Sequence, residues 1–320
     1  VSALLSALEP RAVRAALQGP SGLRVRTGPI TSRITTRLPE VVNAIQTLYA
    51  DYPVEGPDAF VDFHVGVRRP SSLRALWRKQ VVFDLDGQAP FNPLPGDQGF
   101  PLLEWGLNWC AYAHCHQYLI LHAAVLERGG RALILPAPSG SGKSTLCAGL
   151  LFNGWRLLSD ELTLIDPRDG TIVPIPRPVS VKNASIDVLS RFVPSLRFGS
   201  RVSETVKGVV AHFKAPADAV ARAGEKALPA WVVMPKYVAG LPATLTPQPK
   251  ARAFMGLIEN AFNYDVFGAD GFALLGSVID RCACFTFEYG HLPEAIVRFA
   301  QLAQQGQQAQ APTADRQATS

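Results

Sequence analysis

No apolar run in this 320-residue sequence approaches the roughly 18 residues needed to cross a bilayer, which argues against a membrane-spanning helix. No Cys-x-x-Cys pair occurs either. The five cysteines, Cys110, Cys115, Cys147, Cys282 and Cys284, show no zinc-ligand spacing and read as buried, reduced thiols of a cytoplasmic protein. The run His114-Cys115-His116 offers too few convergent ligands for a metal, because alternate residues of a helix point apart. Charge is sparse as well. Charged residues make up 18%, and 31 basic against 26 acidic side chains give a net +5 that is spread along the chain, so nucleic-acid binding is not indicated. Large apolar residues almost vanish from Gly306 to Ser320, and that tail is expected to be disordered. There is no internal repeat.

What is present is an ordinary globular composition, 48% hydrophobic, with room for two domains. The apolar opening to Leu17 is broken by Glu9 and Arg11 before any secretory pattern forms, and reads as a short amphipathic helix. Short β-favouring runs punctuated by Gly and Pro, from Gly22 to about Asp84, predict a small antiparallel sheet. A proline-rich connector, 88–101, follows, and Leu102 to His116 has helical apolar spacing. The expected organisation is a β-rich N-terminal domain over 1–95, an α/β P-loop domain over 96–303 and a tail over 304–320.

Two β-like runs, "YLILHAAVLE" and "RALILPA", are joined by Arg128-Gly-Gly, which predicts a tight hairpin. Its second strand leads into Ala137-Pro138-Ser139-Gly140-Ser141-Gly142-Lys143-Ser144, of the form [AG]-x-x-x-x-G-K-[ST]. Glycines in such a loop let successive backbone N–H groups turn toward an anion, and the helix that follows presents its positive end to the same phosphates. Pro138 to Thr145 are therefore the expected nucleotide contacts. Lys143 supplies charge to the outer phosphates of ATP, and Ser144 a hydroxyl to Mg²⁺.

Asp160 and Glu161 come only 17 residues after that lysine. The loop helix is expected to stop at Asn153-Gly154, and "WRLLS" then forms a short strand running parallel to the strand before the loop. Its carboxyl end emerges beside the phosphates, where one acid can hold Mg²⁺ and the other accept a proton. The bland alternative is a solvated strand end. His122, taken by itself, reads as a core histidine within an apolar strand.

Together these residues resemble a family. A strand histidine 21 residues before the loop lysine, the hairpin, the loop and the acidic pair look like the catalytic domain of HPr kinase/phosphorylase. The stretch from "WCAYAHCHQYLILHAAVLE" through "SDELTLIDP", followed by "PIPRPVSVKN", "ENAFNY" and "FEYGHLPEAI", resembles the HprK-related kinase A group over about Leu102 to Phe299. The resemblance implies an ATP- and Mg²⁺-dependent kinase acting on a hydroxyl, such as a serine of a protein or peptide, with the fold shared by that family and phosphoenolpyruvate carboxykinase. It places the general base on Asp160, metal holding on Glu161, and His122 near the transferred phosphate. Arg177 and Lys182, in "PRPVSVKN", are candidates for phosphate or substrate contact. The pair is Asp-Glu where the family has Asp-Asp, and residues before 95 do not resemble the family's N-terminal domain. A nucleotide-binding scaffold with little turnover and a small-metabolite kinase stand as alternatives, and homo-oligomerisation is left open.

Overall fold

The computed structural model describes residues 2–71, 79–138 and 140–308. The N-terminal part is a seven-stranded sheet in the order β1-β4-β2-β3-β5-β6-β7. Its strands are β1 (Ala3–Leu4), β2 (Leu23–Thr27), β3 (Ile30–Thr36), β4 (Pro53–Val54), β5 (Phe63–Arg68), β6 (Gln80–Leu85) and β7 (Leu94–Pro95). Helices α1 (Pro10–Gln18), α2 (Pro39–Leu48) and α3 (Gly99–His114) accompany it. The opening stretch is α-helical only from Pro10, after a single 3-10 turn at Leu5–Ala7, since a proline fits the first helical turn and disfavours helix in the residue before it. The sheet is mixed rather than antiparallel, because β3 and β5 pair in parallel. Helix α2 makes the crossover a parallel pair requires, burying Val41, Val42, Ile45 and Leu48 at helical spacing inside what reads as a β-rich run.

The second sheet runs β12-β11-β8-β9-β16-β18-β17, with β10 also paired to β8. Its strands are β8 (Leu119–Arg128), β9 (Arg131–Pro136), β10 (Arg156–Ser159), β11 (Leu162–Ile165), β12 (Ile172–Val173), β16 (Leu228–Tyr237), β17 (Thr244–Pro247) and β18 (Ala283–Tyr289). A third sheet, of β13 (Val179–Lys182), β14 (Val202–Thr205) and β15 (Gly208–Phe213), has the order β13-β15-β14. Helices α4 (Lys143–Leu151), α5 (Ala184–Phe192), α6 (Ala217–Ala221), α7 (Lys250–Glu259), α8 (Tyr264–Arg281) and α9 (Leu292–Gln308) complete a mixed α/β protein with several sheets.

Strand β8 shows how the central sheet is covered. Ile120, Ala124 and Leu126 join the core that contains Leu146 and Cys147 of α4 and Phe299 of α9. Leu119, Leu121, Ala123 and Val125 join Leu257 of α7 and Leu275 of α8 on the opposite face. The two-residue periodicity of a strand thus sends apolar side chains into two separate cores. At its end, Gly129 and Gly130 both have positive φ, 62° and 77°, as a tight hairpin turn requires. All five cysteines are buried and unpaired.

The C-terminal helix differs from expectation. Helix α9 continues to Gln308, and the Gly306 carbonyl accepts a hydrogen bond from Arg131, whose guanidinium lies 4.5 Å over the Trp231 ring. That anchor carries the helix past the point where apolar residues run out. The rest of the expected tail, 309–320, lies outside the described residues.

Helix α3 seats on the N-terminal sheet. A Cβ at Gly106 would come within 2.1 Å of the fully buried Phe83 ring on β6, and one at Gly99 within 2.8 Å of Val41. The same helix contributes Leu103 and Leu107 to the core shared with the P-loop side. Gly106→Ala is therefore expected to lower stability by about 1–3 kcal/mol through overpacking, despite the better helix propensity of alanine. Denaturant unfolding of the variant against wild type measures this, and both halves of the chain should lose stability in one transition.

Candidate functional site

The register of β8 assembles the site. On one side Ala123 pairs with Pro136, the last residue of β9 before the P-loop. On the other side Ser159 of β10 pairs with Val125, and Leu162 of β11 pairs with His122. Both β10 and β11 run antiparallel to β8, so they form one strand path interrupted at Asp160 and Glu161. The expected strand end is thus a break within a strand. Ser159 holds it open, its Oγ accepting from the backbone N–H groups of Glu161 (3.4 Å) and Leu162 (3.1 Å). Two strand spacings, on the order of 10 Å, separate this break from the end of β9. Strand β10 also runs in the same direction as β9, with β8 between them.

The loop itself is shaped by Gly140 and Gly142, both at φ +87°. At Gly142 a side chain is excluded twice over, by the positive φ and by Tyr289, whose hydroxyl lies 2.6 Å from where a Cβ would sit. That hydroxyl donates to the Gly142 carbonyl at 2.9 Å, and the Tyr237 N–H donates to the Ser141 carbonyl at 2.9 Å. Strands β16 and β18 therefore buttress the loop. Pro138 is exposed, Ser144 and Thr145 are half-buried, and the Thr145 hydroxyl is hydrogen-bonded to Ser185 at 2.7 Å. Ser139, expected among the nucleotide contacts, lies outside the described residues.

Lys143 opens α4 and is 8% exposed, and its ammonium finds no hydrogen-bond partner among the described residues. Burial lowers its pKa, while Glu161 and Asp160 oppose that shift. A buried cation without a partner is costly, and an anion delivered to it removes the cost. The hydroxyl of Ser141 is likewise buried and unpartnered.

The two acids sit in different surroundings. Burial and the neighbouring Glu161 push Asp160 up to about 6, against the Ser180 N–H that donates to its Oδ2 at 2.9 Å. Burial would raise Glu161 too, but Lys207 and Lys182 prevail and hold it below the usual carboxylate range. Lys207 reaches Glu161 Oε1 at 3.8 Å from the turn between β14 and β15. Lys182, on β13, has its own pKa lowered by burial and then by Lys207. Burial, reinforced by Lys143, brings His122 down to about 4, so its half-buried imidazole is neutral at pH 7. It can exchange hydrogen bonds there but brings no charge.

Arg177 is placed differently from a substrate contact. It is 7% exposed, with its Nε 3.9 Å from Glu104 Oε2 and its Nη2 donating to Asn108 Oδ1. The guanidinium is consumed by α3, beneath the acids, because Glu104 is itself buried and needs a counter-charge. Asn108 in turn donates from Nδ2 to Glu161 Oε2 at 2.7 Å. Asn108 and Lys207 are the residues the sequence reading missed. Lys207 lies 64 residues beyond the loop lysine in a segment of mixed pattern, and an asparagine in an apolar helix carries no motif.

Glu104 gives a pH prediction. Burial raises it to about 7, opposed by Arg177 and by the hydrogen bond from Tyr49. The native state then binds a proton that the unfolded chain has released, so wild type loses stability as pH rises from the usual glutamate range to about 7. Glu104→Gln mimics the protonated form. The stability difference should move in favour of the variant between pH 5 and pH 8, measured by urea unfolding, and a constant difference would place the glutamate pKa at its ordinary value.

Residues 107–180, from α3 to β13, match a family model described as the SynChlorMet cassette protein ScmC. No curated protein matches the chain. Among solved structures it is similar to the Hpr(Ser) kinase/phosphatase from Coxiella burnetii, at 12% identity over 58% of this chain and 99% of that one, with a TM-score of 0.25.

Proposed function

We propose that this protein is an ATP- and Mg²⁺-dependent kinase that transfers a phosphoryl group to a hydroxyl, such as a serine of a protein or peptide. The observation that carries the reading is Lys143, a buried ammonium with no hydrogen-bond partner among the described residues, at the end of a glycine-shaped loop and within electrostatic reach of Glu161 and Asp160. The residues present fit the nucleotide. Gly140 and Gly142 free backbone N–H groups for phosphates, and Lys143 supplies the matching charge. Ser144, Asp160 and Glu161 would hold Mg²⁺, and among the described residues no group of three or more His, Cys, Asp or Glu is arranged for a metal by itself. That suits a cation that keeps several waters and shares its coordination with phosphates. When bound, Mg²⁺ neutralises phosphate charge.

Phosphoryl transfer asks mainly for positioning and charge stabilisation. Lys143 stabilises negative charge on the terminal phosphate. Asp160 accepts the proton of the acceptor hydroxyl as its oxygen bonds to the terminal phosphorus and the bond to the bridging oxygen breaks, releasing the nucleoside diphosphate. Its raised pKa makes it a stronger base than an ordinary aspartate. His122, neutral, is available to hydrogen-bond a phosphate oxygen, and Lys182 and Lys207 add positive charge on the acceptor side.

The test pairs two measurements on the same variants. ATP with Mg²⁺ should raise the melting temperature of wild type, and Lys143→Ala should abolish most of that shift. Asp160→Asn should change nucleotide affinity modestly yet slow phosphorylation of a serine-containing acceptor by roughly 10²–10⁴-fold, read by mass spectrometry. Full transfer by Asp160→Asn would remove the general-base role. A nucleotide-independent melting temperature in wild type would remove the kinase reading altogether.

A further inference from the structure

Glu161, one of the two acids at the break after β10, is held by a helix packed on the N-terminal sheet. Glu161 Oε2 accepts from Asn108 Nδ2 at 2.7 Å, leaving Oε1 to Lys207 at 3.8 Å. The amide is oriented by its other end. Arginine has only donors, so the Asn108 oxygen must face Arg177 and its NH₂ must face the carboxylate. Arg177 is fixed in turn by Glu104, through the carboxylate at 3.9 Å and the backbone carbonyl at 3.4 Å, and Glu104 accepts from the hydroxyl of Tyr49 at the end of α2. Tyr49, Glu104 and Arg177 are all buried, so this chain of contacts has no water to compete with it.

We infer that Asn108 is a positioning residue: anchored by Arg177, it fixes the Glu161 carboxylate so that one oxygen is spent on the amide and the other, 3.8 Å from Lys207, is the one left to meet a cation. The inference rests on the kinase reading for what Glu161 then does. A carboxylate free to rotate would present either oxygen to Lys207 and Lys182, which already lower its pKa. Held by Asn108, it keeps one orientation, with Oε1 as the oxygen that can exchange Lys207 for a cation. The N-terminal sheet thereby enters the site without touching substrate, since α3 rests on β5 and β6 while it carries both Glu104 and Asn108.

Two measurements on the full chain test this. In the ligand-free protein, the Asn108 side-chain amide resonances, assigned by their loss in Asn108→Ala, should shift in Glu161→Ala. Unmoved resonances would mean that the contact is not made in solution and would overturn the inference. In calorimetry, ATP affinity without metal should be unchanged in Asn108→Ala, while the gain in affinity on adding Mg²⁺ should shrink by roughly 10-fold, the lower range for partners of metal-holding groups. In the Glu161→Ala background, Asn108→Ala should have no further effect, because the two act through one contact. An equal loss in both backgrounds, or a loss of metal-free affinity, would show a merely structural role. Asn108→Asp, which still accepts from Arg177 but offers no N–H to Glu161, should stay folded and lose the same Mg²⁺-dependent part. Shifted resonances in a protein whose wild type binds no Mg²⁺–ATP would reject the kinase reading and leave the Asn108–Glu161 contact standing.

Discussion

Everything at the site depends on the register of β8. Its Ala123 closes the ladder with β9 where the phosphate loop begins, and its other edge carries the broken strand from which Asp160 and Glu161 project. A shift of one residue would turn His122 out of its face and move the break away from the loop, since strand side chains alternate. The register is pinned by apolar burial on both faces, with Leu119 and Leu121 in one core and Ile120 and Ala124 in the other. The hairpin turn at Gly129-Gly130 fixes the pairing with β9 from the far end.

That constraint explains why the acids can follow the loop lysine so closely. Helix α4 spans nine residues and returns the chain through Gly154, at φ +83°, directly into β10. Strand β10 lies on the free edge of β8, so no intervening unit of strand and helix is needed to reach the phosphates. The charge arrangement follows from the same compactness. Asp160 accepts from the Ser180 N–H and is raised by burial and by Glu161, whereas Glu161 contacts Lys207 and Asn108 and is held low by Lys207 and Lys182, so the two carboxyls are driven in opposite directions. Groups whose surroundings push their pKa values apart are suited to different tasks.

The surrounding architecture spends buried polar groups to hold this geometry. Glu104, Arg177 and Tyr49 form a buried network between α2, α3 and the segment before β13. Such networks rarely add much stability over apolar packing, but they fix orientation. The seating of α3 on Phe83 through Gly106 brings that helix close enough for Asn108 to reach the acid.

The sequence by itself determined the phosphate loop, the hairpin before it, the helix after it and the presence of two acids nearby, because each is local: glycines at fixed spacing, alternating or helical apolar patterns, and a turn signal. The mixed pairing in the N-terminal sheet was not legible, since the short α2 hides its helical spacing between β-favouring runs. Nor was the continuation of α9, which depends on Arg131 reaching the carbonyl of a residue 175 positions away. Arg177 looked like a phosphate contact because a basic residue in a loop carries no sign of its partner, and only packing brought Glu104 and Asn108 onto it. Lys207 joins the acids for the same reason. Local pattern encodes backbone conformation, whereas the partners of a charged side chain are chosen by burial, and burial exists only once distant segments have packed.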